Sequence, residues 1–600
     1  MQDRIEDKQY QKNINLKLWG NLIREGKAFY GMMAFLGLVM IILAGADAIT
    51  PLLTRYAIDN FIIPQKYQGL YLFGVIYVIL VLFQAFGVLM LIAVAGKIET
   101  GINFHLRNKC YRKLQEMEFA YFDRTPTGWI VARLTSDISR LGDVIAWGIV
   151  DFVWGGALML LMGLFMFLLN WKLALLALSL FPLLLFISSK FQISILKNYR
   201  QVRRFNSQIT SSFGEGIHGA KTTKTLVREE ANLEEFQELN RSMFRYSVKA
   251  AVKSALFMPI VLVISTIATG MVLWFGGRQV LAEVIGYGTF VAFISYTLQF
   301  FEPVSHLATI FAEMQNAQAA AERVFSLLEL KPQIRDTVPY TGEWQDRKMR
   351  GEIEVEKIDF AYKVGKPVFR DFSLHIKAGE TIALVGETGT GKTTLVNLIC
   401  RFYEPQAGNI KIDGIELNKM PQEWIHSQLG YVQQVPHLFQ GTIRENIRYG
   451  NLEATNEKVE EASRLVSAHE FIVNLPGGYD YRVGESGSLL STGQRQLISF
   501  ARVVLADPAL LILDEATASI DTETEQLVQK AMHSLLEGRT SIIVAHRLST
   551  IRSANRIILM HKGMIVEMGH HKELMKKRGR YFELYMNQFL TEEGDKILAG

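Results

Sequence analysis

The clearest chemistry in the sequence lies in Gly386-Glu387-Thr388-Gly389-Thr390-Gly391-Lys392-Thr393-Thr394. The run fits G-x-x-x-x-G-K-[ST] and stands between an apolar strand, Thr381–Val385, and the helical pattern Leu395–Phe402. Glycines let backbone N–H groups wrap phosphate oxygens, and the start of the following helix adds positive potential. Lys392 is expected to reach the β- and γ-phosphates of a nucleotide and Thr393 to ligate Mg²⁺.

A second acidic element completes that chemistry. Residues 509–513 form a short apolar strand that ends in Asp514-Glu515. Asp514 suits a water-mediated Mg²⁺ contact, and Glu515 suits orientation of an attacking water. Acids after a strand also suit a helix N-terminus, but a phosphate loop in the same half favours the chemical role. Gln434 follows a strand-like Leu429–Val432 and could reach Mg²⁺ or the water. His546 follows the strand Thr540–Ala545 and could meet the γ-phosphate. Either residue alone would be an ordinary satisfied polar group, and its weight comes from order and context.

The elements around these residues differ sharply between the two halves of the chain. Hydrophobic residues make up 49% and charged residues 20%, which rules out disorder. Long apolar stretches fall at 28–46, 70–96, 149–169, 173–188, 255–277 and 285–301, all before residue 310, and only 149–169 holds a charged residue, Asp151. Most approach the ~20 residues that cross a ~30 Å hydrocarbon core. The third and fourth join through Asn170-Trp171-Lys172 as a tight hairpin, so six spans are expected. The connection 97–148 carries eight Lys and Arg and 190–254 carries twelve, while the alternate connections carry few. That alternation places both termini in the cytoplasm.

Charge, cysteines and connections narrow the classes further. The balance of 64 basic and 59 acidic residues is too mild to argue for nucleic acid, and no nucleic-acid partner is expected. Cys110 and Cys400 are too few and too distant for a disulfide framework. The two long basic connections have helical periodicity, so the membrane helices are expected to continue beyond the bilayer and turn back. Tyr121–Gly128 and Gly214–Gly219 are the expected tips, because Pro and Gly end helices. No cleavable signal is expected in residues 1–27, and the pattern from Ile14 to Arg24 suits a helix either in the headgroup plane or packed on protein. The resulting division is 1–27 cytoplasmic or interfacial, 28–330 transmembrane, 331–350 linker and 351–600 nucleotide-binding.

Read in order, Tyr362, Gly386–Thr394, Gln434, Leu490-Ser491-Thr492-Gly493-Gln494, Asp514-Glu515, Ser519-Ile520-Asp521 and His546 resemble the nucleotide-binding domain of ABC transporters. Six spans ahead of one such domain resemble a half-transporter of the bacterial multidrug and lipid exporter type. Phe122–Gly128 and Leu134–Asp137 also resemble that family's first cytoplasmic loop. The implied fold is an α-helical transmembrane domain of six long helices plus an α/β P-loop ATPase domain with a helical subdomain.

The resemblance implies residue roles that spacing does not. Tyr362 would stack on adenine. Ser491 and Gly493, with Thr492 and Gln494 in the same signature, would cap the γ-phosphate held by the opposite subunit. Asp521 would line the shared site. Glu515, His546 and Gln434 would serve catalysis, and Thr393, Gln434 and Asp514 would hold Mg²⁺. ATP would lie between two domains, and the tips would touch the ATP domains beside Gln434 and Val483-Gly484-Glu485.

One position departs from the pattern. The signature normally has Gly where this chain has Thr492, and a β-branched residue is expected to restrict the loop near the phosphate. That favours a heterodimer with a second half-transporter over a homodimer. The resemblance further implies a bacterial cytoplasmic membrane and ATP-driven export of amphipathic, drug-like or lipid-like compounds. A lipid flippase, a peptide exporter, or an ATP-gated channel or regulatory subunit shares the layout. Asp47, Asp151 and Glu302 are acids in or beside the spans and so candidates for recognition of a cation; by residue count they fall near span ends, where interfacial water is the blander explanation.

Overall fold

The computed structural model describes residues 15–336, 338–363, 365–514, 522–545 and 548–587. The chain divides into two compact units, Asp3–Glu116 with Thr125–Leu330, and Met117–Arg124 with Lys331–Gly600.

The first unit is helical. Among the described residues, five helical runs have the length and apolar composition to cross a membrane: Lys27–Ile62, Leu70–Gln115, Thr127–Leu169, Trp171–His218 and Glu229–Leu281. We number the helices α1 Leu16–Glu25, α2 Tyr30–Ala57, α3 Leu70–Gln115, α4 Phe119–Arg124, α5 Thr127–Ala132, α6 Ile138–Leu169, α7 Trp171–Leu178, α8 Phe181–His218, α9 Ala220–Thr225, α10 Glu229–Leu281, α11 Tyr287–Phe300 and α12 Glu302–Leu328. The sixth apolar stretch is α11, only 14 residues long, which α12 resumes after Phe301. Pro303 sits in the first turn of α12, where its missing N–H costs no hydrogen bond. The 46 residues of α3 span about 70 Å at ~1.5 Å per residue, more than twice a hydrocarbon core.

Asn170 makes the α6–α7 hairpin. Its backbone is extended, its side chain accepts the N–H groups of Lys172 and Leu173, and its amide donates to Gln279 at 2.9 Å. The expected second tip is displaced. Gly214 and Gly216 lie inside α8, and the reversal instead runs from Gly219 through α9 to Arg228. Gly219 caps α8 at φ −88°, whereas Gly214 and Gly216 stay helical because a single Gly lowers helix stability without breaking it. Of the two readings for α1, packing on protein has direct contacts: Leu22 is 1% exposed and the Asn15 N–H donates to Gln318 of α12. Leu16 remains 81% exposed.

Among the described residues the second unit contains two sheets. The strands are β1 Ile353–Phe360, β2 Phe369–Ile376, β3 Thr381–Val385, β4 Ala407–Ile412, β5 Ile415–Glu416, β6 Leu429–Val432, β7 Leu510–Asp514, β8 Thr540–Val544, β9 Arg556–His561 and β10 Met564–Gly569. An antiparallel sheet has the order β2-β1-β4-β5, and a larger one has β10-β9-β3-β8-β7-β6. In the larger sheet β9, β3, β8, β7 and β6 run parallel. Both faces of β3 are covered: Ala383 and Val385 join one apolar cluster, Ile382 and Leu384 the other. That is the period-two consequence of a strand buried on both sides.

His426 packs into the second cluster's edge, with Nε2 3.0 Å from the Cys400 carbonyl and its ring 5.5 Å from that of Phe402. Burial holds its pKa below the ordinary histidine value, against the opposing pull of the carbonyl bond. The unfolded chain therefore binds this proton first as pH falls. Stability contributed by neutral His426 is full above pH ~6.5 and is lost as pH drops through the folded value. The melting temperature should fall between pH 7.5 and 5.5, and H426Q should flatten that fall. An equal pH response in both proteins would remove His426 from the account. Cys110 and Cys400 are both free and buried.

Candidate nucleotide-binding site

Strand register builds the site. Leu384 pairs with Val544, Asp514 with Val544, and Val432 with Leu513, so β3, β8, β7 and β6 end at one level. The loop after β3 therefore shares one sheet edge with Asp514 at the end of β7 and with Gln434 just beyond β6. Ligands of open parallel sheets bind at this carboxyl edge.

The loop needs its glycines. Gly386 has φ +150°, and a Cβ there would lie 2.3 Å from the Met560 carbonyl oxygen. Gly391 has φ +103°, caps the helix Lys392–Ile399, and would press a Cβ to 2.9 Å from the Phe369 ring. Glu387, Thr388 and Gly389 are exposed at the rim, while Thr390 is buried and donates to the Glu387 carbonyl at 2.9 Å. Lys392 is 6% exposed and its amine donates to the carbonyls of Gly386 (2.6 Å) and Glu387 (3.0 Å). Burial pushes its pKa below that of an ordinary lysine, and the Asp514 carboxylate opposes the shift. Thr394 is buried beneath the loop, whereas Thr393 is exposed at the helix start.

The donor set fits a hard divalent ion. The Thr393 hydroxyl, the half-buried Asp514 carboxylate and the exposed Gln434 amide offer oxygen ligands, the chemistry Mg²⁺ takes together with phosphate oxygens and water. Bound Mg²⁺ would neutralise phosphate charge there.

Tyr362 is half-buried, with its ring edge-on to Phe360 at 4.9 Å and to Tyr403 at 5.1 Å. Tyr403 donates its hydroxyl to Asp123 at 2.5 Å, and Arg124 donates to the Tyr362 carbonyl at 3.2 Å. Phe119 stacks on Phe402 at 5.0 Å, and Glu118 accepts the Gln333 N–H. Residues 117–124 thus pack within the nucleotide-binding unit. Sequence reasoning singled out Tyr121–Gly128 but missed the receiving pair Phe402-Tyr403. Its signal was two adjacent aromatics just past the helix that follows the phosphate loop. Y403F should cost about 1.5–3 kcal/mol of contact with Asp123 and raise hydrogen exchange across residues 119–124. Unchanged exchange would show that the ring stacking alone holds the segment.

The Ser491 region folds as a helix start. The Ser491 hydroxyl accepts the Gln494 N–H at 3.2 Å and the Gln494 side chain accepts the Ser491 N–H at 2.9 Å, a capping box on Thr492–Ala506. Thr492 is the first helical residue, and its hydroxyl receives a bond from Arg495 at 3.1 Å. The expected backbone restriction is therefore corrected: helical dihedrals at this position suit a β-branched residue, and any effect of Thr492 comes through its side chain. Gly493 is buried one residue on. Val483 is buried and Gly484 takes φ +77° beside Glu485. Glu515, Asp521 and His546 lie outside the described residues.

Residues 33–304 match the family described as ABC transporter transmembrane region, and residues 369–518 match the family described as ABC transporter. An uncharacterized ABC transporter ATP-binding protein, YknV of Bacillus subtilis, is 39% identical over 81% of this chain and 80% of its own length. The chain belongs to the ABC transporters. An ATP-dependent lipid A-core flippase of Syntrophus aciditrophicus is 36% identical, covering 82% of this chain and 81% of the flippase. A probable multidrug resistance ABC transporter protein of B. subtilis, YheH, is 37% identical over 80% of this chain and 71% of its own. This ABC half-transporter therefore carries the membrane region and the ATP-binding region on one chain. Such a chain couples ATP hydrolysis to transport across a membrane that it crosses several times, and works together with another subunit.

Proposed function

We propose that this half-transporter exports amphipathic, drug-like or lipid-like compounds from the cytoplasm, with both termini on the cytoplasmic side of a bacterial inner membrane. The observation that carries the reading is the packing of residues 117–124, which connect two membrane helices, against Tyr362, Phe402 and Tyr403 beside the phosphate loop. A change at the nucleotide is thereby linked to chain that leads directly into α3 and α5. Two ATP molecules bound between paired domains favour a closed pair, and closure turns the membrane cavity outward. Reversing a 1:99 population takes about 5.5 kcal/mol of differential binding, within reach of two nucleotides held by charge-assisted bonds. Hydrolysis, with Glu515 orienting water and His546 and Gln434 at the γ-phosphate, removes those contacts and resets the cycle.

The partner in this reading is a second, non-identical half-transporter. Ser491 and Gly493 of this chain cap the γ-phosphate at the partner's loop, and Thr492 places a branched, Arg495-tethered side chain there instead of Gly. That composite site turns over more slowly than the other. The relatives named for lipid A-core flipping and multidrug resistance support the substrate class. Liposomes reconstituted with this chain, alone and with a candidate partner, test the proposal. Uphill, ATP-dependent uptake is expected, fastest for the mixed pair. Passive flux opened by ATP would indicate a channel, and full activity of the single chain would indicate a homodimer.

A further inference from the structure

The apolar stretch 28–46 stops just before Asp47, which by residue count puts this acid at a span end. The helix places it elsewhere. α2 continues to Ala57, and helical backbone runs on to Ile62. Asp47 Oδ1 accepts the Gln84 amide at 2.9 Å, and Oδ2 accepts the Trp154 indole N–H at 3.0 Å. Gln84 lies midway along the uncharged stretch 70–96 of α3, with about 20 Å of helix on each side at ~1.5 Å per residue. Asp47 therefore sits near mid-bilayer, where α2, α3 and α6 meet. Interfacial water does not explain it.

A carboxylate at that depth is costly and is held only for a reason. Two neutral N–H donors occupy one lone pair on each oxygen and bring no positive charge. Among the described residues Asp47 has no ion-pair partner. Arg55, two turns along α2, is 3.5 Å from Asp59 instead. Asp47 and Trp154 are both half-buried. Trp154 adds an aromatic face beside the carboxylate, and indole faces attract organic cations most strongly of the aromatic side chains. The position is also held rigidly, because the Tyr296 hydroxyl donates to the Ala48 carbonyl at 2.7 Å. Orienting bonds, an aromatic face, mid-membrane depth and a missing counter-charge describe a receptor for a cation that arrives from lipid.

We infer that Asp47, with Trp154 beside it, receives the cationic head of an amphipathic substrate, so that the transporter prefers amines and quaternary ammonium compounds to neutral ones. The inference rests on the export reading above and names the substrate class of that reading. The competing role for Asp47 is purely structural, a tie among three helices.

Two fluorescent alkyl probes of equal length separate these roles, one ending in trimethylammonium and the other in neutral tert-butyl. Initial ATP-dependent uptake is measured in liposomes of the complete transporter at zero membrane potential. The wild type should move the cation at least about tenfold faster than the neutral probe, and D47N should abolish that ratio while D47E restores most of it. W154L keeps the carboxylate and removes the ring, and should lower the ratio about threefold. A structural tie predicts equal losses for both probes, and an unchanged ratio in D47N or W154L overturns the inference. If D47N fails to assemble, the wild type decides, because a ratio of one or less already refutes cation recognition. Export of the neutral probe alone refutes the inference and leaves export standing. ATP hydrolysis that moves neither probe counts against both.

Discussion

K392A is expected to weaken ATP binding roughly 100-fold or more. The side chain is 6% exposed, and its amine bonds two loop carbonyls from inside the curve of the phosphate loop. An alanine removes the charge that meets the phosphates and leaves the carbonyls of Gly386 and Glu387 without that donor. Loss of a buried charge-assisted contact costs about 2–5 kcal/mol, and each 1.4 kcal/mol is about tenfold in affinity. A fluorescent ATP analogue titrated against the full-length transporter measures the change. The depressed pKa gives a second reading. Because burial favours the neutral amine, the lysine loses its proton at lower pH than an ordinary one, so wild-type affinity should begin to fall earlier on the alkaline side. Unchanged affinity in K392A would remove Lys392 from the phosphate site.

E515Q is expected to keep ATP binding within about twofold while turnover falls by about 10²–10⁴, the range for loss of a positioned proton acceptor. The argument rests on order along the chain. Asp514 ends β7 level with the phosphate-loop strand, and Glu515 is the residue that follows it in the sequence. Glutamine keeps the size and loses the basic oxygen. Phosphate release and retained nucleotide, measured on the same preparation, separate binding from chemistry. In a mixed pair the remaining site must be silenced in the partner before the rate is assigned. Normal turnover would show that another group orients the water.

The two substitutions touch the part of the protein that the sequence describes best. The phosphate loop is legible because its requirements are local: glycines at positive φ, a lysine at fixed spacing, and a strand before and a helix after. The capping box at Ser491–Gln494 also uses only three-residue spacing, yet the sequence reading expects a loop there and the helix start comes from the structure. Thr492 shows the limit of that reasoning. Its branched side chain suggested a strained loop, but the capping box makes it the first residue of a helix, where branching costs little. The second tip was misplaced for a related reason. Gly214, Gly216 and Gly219 look alike in sequence, and only the last coincides with the end of the bonded helix.

Long-range placement was not legible. Nothing local to Asp123 or Tyr403 announces a bond across 280 residues. The depth of Asp47 was misjudged because a run of uncharged residues measures where charge is absent, not where the helix meets the bilayer. Its bonds to Gln84 and Trp154 supply the depth through two neighbouring helices.

The sequence by itself determined the two solvents of this chain and the nucleotide chemistry, because hydropathy and loop geometry act over a few to some twenty residues. Tertiary structure decided which distant groups meet where the sequence was silent: Tyr403 with Asp123, Trp154 with Asp47. Such pairs depend on strand register and helix packing, and those are fixed only when the whole unit minimises buried, unsatisfied polar groups.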